Sequence, residues 1–388
     1  MSKASEFRRM RLGEEELRAV EEVFRRGELS PFFRNFLGGG KVREFEERFA
    51  DYIGVEYAIA TSSGTTALHT ALLAAGVKRG WEVIVPPYTF VASVSMVIAA
   101  GGRPRFADVD PKTYNLDPDA VLEAITPKTR AIMPVHIVGG VCDMDAIMEI
   151  AEDHHLVVVE DSAQALGSKY KGRMAGTFGD AAIFSFQETK SLTTGGEGGM
   201  VVTNDPKIAE RARYIRNHGD KYSPRRRNMM GYNYRMTEIA AAIGIVQLEK
   251  YKTLFLPTQI RNAKRLIAGL PEGIDPPYVP PEVEHTYLFV ACQYDEQRTG
   301  VPRKLFLEEV TKRGLHKLQP GSMISGGYAE LVYHLPYYRR WARPCPNAER
   351  LLKTMLYIDH HRWPHTEEDM DRLNAEFRKI LEELRGEG

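Results

Sequence analysis

Residues 58–76 read AIATSSGTTALHTALLAAG. Ala58-Ile59-Ala60 is a short, unbroken apolar run. Ser62-Ser63-Gly64-Thr65 is a turn. From Thr65 to Ala75, Ala and Leu recur at helical spacing. An apolar run without alternation marks a strand buried on both faces, as in a parallel sheet. The unit is therefore strand, turn, helix.

Working outward, the same unit repeats. Apolar or β-branched runs lie at Tyr57–Ala60, Glu82–Val85, Arg105–Asp108, Ala131–Val135, Leu156–Val159, Ala182–Phe186 and Met200–Thr203. Helical patterns fall between several of them, at Thr65–Ala75, Asp143–Asp153 and Pro206–Asn217. Such alternation predicts a doubly wound α/β domain with a mainly parallel sheet.

After Gly231 the pattern changes. MTEIAAAIGIVQLEKYKTLF (236–255) reads as one long helix. Pro257 and the stretch PEGIDPPYVPPEVEH (271–285) read as an interdomain connection. Beyond it, His285–Tyr294 reads as a strand, and Pro302–Gly314 and Thr366–Arg385 as helices. The expectation is an N-terminal arm and large domain over 1–255 and a smaller α+β domain over 256–388.

The 388 residues exceed what one core usually holds. Lys and Arg number 52, and so do Asp and Glu. That balance argues against a nucleic-acid partner, and the run Arg225-Arg226-Arg227 reads as a solvated loop. Three scattered cysteines form no CxxC pair, no His/Cys cluster has zinc spacing, and no metal is expected. The apolar stretch Val91–Ala100 is too short to span a bilayer. The charged N-terminus lacks the apolar core of a signal peptide. A soluble cytoplasmic protein with no membrane partner is expected.

Three places could carry chemistry. The helix start after Ser63 presents unpaired amides and a positive dipole end, so it reads either as a phosphate site or as plain N-capping. LVVVEDSAQALG (156–167) ends a buried strand in Glu160-Asp161, where α/β proteins place ligands or where an acid simply caps a helix. FSFQETKSLTTGGEGG (184–199) delivers Lys190 from a buried strand into a glycine loop. A desolvated lysine can serve as nucleophile and base, whereas an exposed loop lysine does nothing. No GxGxxG occurs, which disfavours a dinucleotide. Together, a phosphate cradle, an acid and a lysine match the needs of pyridoxal phosphate. The acid would keep the pyridine nitrogen protonated and the lysine would form the Schiff base. His360-His361-Arg362 reads as a loop near the domain seam.

The motifs SSGTTALHTALLAAG, PPYTFVAS, FADVDPKTYNLDP, VVVEDSAQALGSKYKG, FGDAAIFSFQETKSLTTGGEGGMVVTND, GYNYRMTEIAAAIGIVQLEK and CPNAERL resemble the DegT/StrS family of aminotransferases over nearly the whole chain. The resemblance implies the type I fold of pyridoxal-phosphate transferases, aspartate aminotransferase-like. It implies that Lys190 forms the Schiff base, Asp161 pairs with the pyridine nitrogen and Gln164 lies near the ring oxygen. Phe90 would stack on the ring, and Gly64, Thr65 and Ser185 would bind phosphate. Asn233 would reach the phosphate of a neighbouring subunit, in a homodimer with shared sites, and Arg235 would help hold substrate. The implied reaction is ping-pong transamination through pyridoxamine phosphate, from glutamate or glutamine to a nucleotide-linked keto sugar or a keto cyclitol. FSFQ before the lysine resembles the cyclitol branch. Rival readings are a pyridoxamine-phosphate-dependent sugar dehydratase, which resembles this chain but carries histidine in place of the lysine, and a non-catalytic regulatory member. Two departures stand out: TTGGEGG has one residue more than the common TTGEGG, and VHIVGGVCDM (135–144) replaces an aromatic-Gly-x-x-Asp-Met pattern, so no substrate contact near His136 carries over.

Overall fold

In a computed structural model of the chain, the structure describes residues 12–219, 229–315 and 324–386. The Arg225-Arg226-Arg227 run lies outside them. In chain order the first part runs α1 (Glu14–Arg26), α2 (Gly40–Ile53), β1 (Tyr57–Thr61), α3 (Gly64–Ala74), β2 (Glu82–Val85), α4 (Val91–Ala99), β3 (Arg103–Phe106), α5 (Pro118–Ala124), β4 (Thr129–Ile132), α6 (Met144–Asp153), β5 (Val157–Asp161), β6 (Lys169–Tyr170), β7 (Arg173–Met174), β8 (Ala181–Ser185), β9 (Gly199–Thr203) and α7 (Pro206–Arg216). Then follow α8 (Glu238–Lys250), α9 (Leu256–Ala268), β10 (Ile274–Asp275), β11 (Val283–Glu284), β12 (Val290–Tyr294), α10 (Arg303–Lys312), β13 (Ile324–Ser325), α11 (Pro346–Thr354), β14 (Met355–Ile358) and α12 (Glu367–Arg385).

The main sheet has seven strands in the order β1-β9-β8-β5-β4-β2-β3. Strands β3, β2, β4, β5 and β8 are parallel along the ladder. Only β9 opposes its neighbours, β8 and β1. The runs without alternation are explained by burial on both faces. Ala58, Ala60, Ala182, Phe184, Met200 and Val202 face one core cluster, with Phe45 and Phe49 of α2 and Leu248 of α8. Ile59, Ile183 and Val201 face another, with Leu68 of α3, Val94 of α4 and Ile215 of α7. A sheet covered by helices on both faces is the doubly wound architecture.

This topology sets up one working edge. Strands β1, β5 and β8 all end there, at Thr61, Asp161 and Ser185. The β8–β9 connection is a hairpin, so its loop, which carries Lys190, emerges at the same edge. The carboxyl ends of parallel strands are where such sheets hold ligands.

The C-terminal part builds a second, antiparallel sheet, β10-β12-β14-β13. It packs with α9, α10 and α12 around a core of its own that includes Leu266, Phe306, Leu356 and Phe377. Helix α1 docks on α8 through Glu16, whose carboxylate accepts from Gln247 Nε2 and Lys250 Nζ, both at 2.8 Å.

Two sequence expectations are corrected. The helix over 236–255 does not stop before Pro257. It continues to Ala268 through a π turn at Tyr251–Phe255. The Leu256 amide bonds Tyr251 O across that turn, and Pro257, which has no N–H to offer, enters just after it. The strand over His285–Tyr294 starts only at Val290. Before it Tyr287 takes φ +56°, and the segment wraps the 136–142 loop, with Thr286 N donating to Gly139 O at 3.0 Å. Among the described residues no helix is long and apolar enough to cross a membrane.

Candidate active site

The site begins at the start of α3. Ser63 is the N-cap: its Oγ accepts from Thr66 N at 3.1 Å, and Thr66 Oγ1 accepts from Ser63 N at 2.9 Å. This capping box satisfies the Thr66 amide and leaves the amides of Gly64 and Thr65 at the helix start. Gly64 is required by close approach, because a Cβ there would lie 2.6 Å from Ser185 Cβ and 2.7 Å from its Oγ. The helix start and the end of β8 are thereby joined into one wall, with the Ser185 hydroxyl beside the helix amides.

That wall lines a cavity of about 610 Å³. Gly64, Thr65, Phe90, Asp161, Gln164, Ser185 and Lys190 all line it. Seven of the sequence-derived positions thus converge from four separate segments. Phe90, the N-cap of α4, is 59% exposed.

Pleating sorts the two acids that end β5. Glu160 turns away and is fully buried. Its carboxylate accepts from His136 Nε2 at 2.9 Å and from the amides of Gly176, Phe178 and Gly179 at 2.7–2.8 Å. His136 Nδ1 accepts from Cys142 N at 3.2 Å, so this ring is neutral and carries its proton on Nε2. His136 is therefore a structural partner of Glu160 and does not line the cavity. Asp161 faces the cavity. Its Oδ1 accepts from Ala163 N at 3.1 Å and its Oδ2 from Ser93 Oγ at 2.8 Å. Thr89 Oγ1 lies 2.9 Å from Ser93 Oγ. Since the Ser93 proton goes to the carboxylate, Thr89 donates in that contact, and a relay of donors ends on Asp161. Burial pushes the Asp161 carboxyl above its ordinary range, and Ser93, the Ala163 amide and the Lys190 charge pull it back in part.

Lys190 is half-buried. Desolvation lowers its amine from 10.5 to about 8, opposed by Asp161 and assisted by the Arg362 charge. The turn that delivers it is tightly held. Lys190 N donates to Gln187 O at 2.8 Å, and Thr189 N donates to Gln187 Oε1 at 2.8 Å. In the extra-glycine loop both Gly195 (φ +88°) and Gly196 (φ +125°) sit in the region only glycine enters freely. Gly196 O accepts from Glu188 N at 2.9 Å.

Gln164 is oriented by its two partners. Oε1 must accept from Val138 N at 3.0 Å, so Nε2 donates to Tyr328 Oη at 3.0 Å. Tyr328, Phe289 and Tyr357 reach the cavity from the C-terminal part. Sequence reading missed them, because no spacing links them to the sheet. It also missed Ser93, though PPYTFVAS held its signal: a hydroxyl one helical turn after Thr89.

Asn233 and Arg235 are not in this cavity. Asn233 is exposed. Arg235 donates to Asn217 Oδ1 at 3.0 Å, and its guanidinium lies 4.9 Å from the Phe33 ring centre. Their segment runs along the end of β1, where Ser62 N donates to Tyr234 O at 2.9 Å.

The residues fit pyridoxal phosphate. A wall of two helix-start amides and a hydroxyl suits a phosphate, a buried carboxylate suits a protonated ring nitrogen, and a desolvated amine suits Schiff-base chemistry. Among the described residues no group of three or more His, Cys, Asp or Glu is placed to hold a metal ion.

Known proteins agree. The chain is 51% identical over 215 residues to the GDP-perosamine synthase of Caulobacter vibrioides, a match that spans 55% of this chain and 57% of that protein's length. It is 34% identical over 396 residues to an uncharacterised protein of Methanocaldococcus jannaschii, covering 96% of this chain and 97% of the relative. Among solved structures, DesV of S. venezuelae in complex with a ketimine intermediate superposes with a TM-score of 0.85 at 32% identity, covering 95% of this chain and 94% of that one. The model of the DegT/DnrJ/EryC1/StrS aminotransferase family matches residues 10–378. The chain belongs to that family, whose members depend on pyridoxal phosphate.

Proposed function

We propose that this protein is a sugar aminotransferase that takes an amino group from glutamate or glutamine and delivers it, in two half-reactions, to a nucleotide-linked keto sugar or a keto cyclitol. One observation carries the reading: the Lys190 amine, the Asp161 carboxylate and the start of α3 line a single cavity. The likeness to a GDP-perosamine synthase supports a sugar acceptor, and the Gln187 variant supports a cyclitol.

Bound pyridoxal phosphate supplies an electron sink for the carbon that loses its proton. The chain's residues do the rest. The Gly64 and Thr65 amides and the Ser185 hydroxyl hold the phosphate. Asp161 accepts the ring N–H, and that cation in turn favours its ionised form. The Lys190 amine, largely neutral just above pH 8, would take a proton from the donor's α-carbon and return it to the cofactor's C4′, two bonds away, as base and then as acid. Phe90, which lines the cavity, would cover one face of the ring. Gln164, locked by Val138 and Tyr328, is set to meet the ring oxygen.

Asn233 is exposed on a segment pinned to β1, which supports a role in the phosphate site of a second copy, in a homodimer with shared sites. Arg235 is proposed to assist there with substrate. A boundary near residue 256 is supported by the separate core around Phe306 and Phe377. Three buried, unpaired cysteines support a reducing, cytoplasmic setting.

The test is spectroscopic. Protein loaded with pyridoxal phosphate should absorb near about 410–430 nm, and borohydride should fix the cofactor on Lys190. The aminated form, offered keto sugars and keto cyclitols in turn, should regain that band with its acceptor. A protein that takes up no cofactor defeats the proposal.

A further inference from the structure

Arg362 lies in the loop between β14 and α12, about 170 residues from Lys190 in sequence, yet it closes on the same turn. Its Nη1 donates at 2.6 Å to the carbonyl of Thr189, the residue just before Lys190. The other side of the guanidinium grips Asp359 as a fork: Nε to Oδ1 at 2.5 Å and Nη2 to Oδ2 at 2.7 Å. Asp359 is buried, so the fork is fixed in place. The guanidinium carbon also stands 5.7 Å from the centre of Phe289, a ring that lines the cavity.

The turn is therefore held from two directions. Gln187 grips it from inside, through its own carbonyl to Lys190 N and its side chain to Thr189. Arg362 grips it from the C-terminal part. A bidentate arginine loses little freedom per bond formed, and lysine cannot copy the geometry. The second consequence is electrostatic, because a permanent positive charge bonded to the carbonyl just before Lys190 disfavours the protonated amine.

We propose that Arg362, fixed by Asp359, is a positioning residue for Lys190: it holds the Gln187–Lys190 turn through the Thr189 carbonyl and places a permanent cation beside the amine. The inference rests on the reading of Lys190 as the reactive amine. Burial is the larger cause of the low Lys190 pKa, and the Arg362 charge acts in the same direction. Against it stands Asp161, and Glu197 and Tyr328 also border the cavity, with Glu188 on the turn itself. The design solves a conflict. Asp161 favours the protonated amine, and Arg362 adds to burial in opposing that pull.

The experiment is competitive acetylation of the full chain without cofactor, from neutral to alkaline pH, read at the Lys190 peptide by mass spectrometry. In the wild type the Lys190 midpoint should fall near about 8. In Arg362→Gln it should rise by ~0.5–1 pH unit. Arg362→Lys keeps the charge but cannot make the fork and the carbonyl bond together. Its midpoint should stay near the wild-type value, while its limiting labelling rate at high pH rises severalfold as the turn loosens. An unshifted midpoint in Arg362→Gln, or an unchanged limiting rate in Arg362→Lys, overturns the proposal. If Arg362→Gln does not fold, the Arg362→Lys rate decides alone. Labelling needs neither cofactor nor substrate. A negative result here leaves the aminotransferase reading intact, and a failure to take up cofactor leaves the labelling result intact.

Discussion

Gly64 and Ser185 meet so closely that a single added methyl at Gly64 would sit 2.6 Å from Ser185 Cβ. Real Cβ contacts are never so short, and the clash involves a strand end rather than a flexible tip. Gly64→Ala must push α3 off β8 and open the wall that the proposed phosphate site needs. Overpacking of this kind costs ~1–3 kcal/mol. The expected result is a modest drop in the unfolding midpoint together with a loss of ~10-fold or more in pyridoxal phosphate affinity by absorbance titration. Unchanged affinity would show that the helix start is only a cap.

Ser93 is the donor that steadies Asp161. Removing its hydroxyl as Ser93→Ala leaves Asp161 Oδ2 buried without that partner. The carboxyl, already raised by burial, rises further. A less ionised acid holds a ring N–H less well. Cofactor affinity should fall ~5–30-fold, the equivalent of ~1–2 kcal/mol. The loss should be smaller at alkaline pH, where Asp161 regains its charge. A pH-independent loss would mean that Ser93 acts through packing instead.

How much of this was legible beforehand depended on distance along the chain. The sheet was readable because each strand carries its own burial signature: Ala58, Ala60, Ala182 and Phe184 fill one face while Ile59 and Ile183 fill the other. Lys190, Asp161 and Gly64 were readable because each sits at or just beyond the end of a locally recognisable element: Asp161 closes β5, Gly64 opens α3 and Lys190 follows β8. Tyr328, Phe289 and Arg362 were not, since the C-terminal part brings the first two to the cavity and the third to the Lys190 turn through contacts that no local period encodes. The break expected at Pro257 failed for a local reason: a π turn places the proline where no donor is needed. The pair Glu160-Asp161 could be separated only once the pleat was known.

Glu160 supports the site without lining it. All four of its partners, His136 and three backbone amides, are donors. In Glu160→Gln one oxygen becomes an NH2 that faces two donors inside a fully buried pocket. The expected cost is ~2–4 kcal/mol of unfolding free energy, measured by urea denaturation. A cost below ~1 kcal/mol would contradict the donor assignment, including the proton on His136 Nε2.

Lys190 should make the protein less stable than it would be without it. Its folded pKa, about 8, lies below the ordinary 10.5. Below pH 8 both folded and unfolded chains carry the proton, and the folded chain carries it at a cost. Between pH 8 and 10.5 the unfolded chain binds more protons than the folded one, so wild-type stability rises with pH across that window. Lys190→Met removes the cost. At pH 7, without cofactor, the variant should be more stable by ~1–3 kcal/mol, a figure discounted because the side chain is only half-buried. Its advantage should shrink as pH climbs from 8 toward 10.5. Thermal midpoints of both proteins at pH 7 and pH 10 decide it. A gap of equal size at the two pH values would mean that the amine is not held in a desolvated site, and the case for Lys190 as a ready base would fall with it.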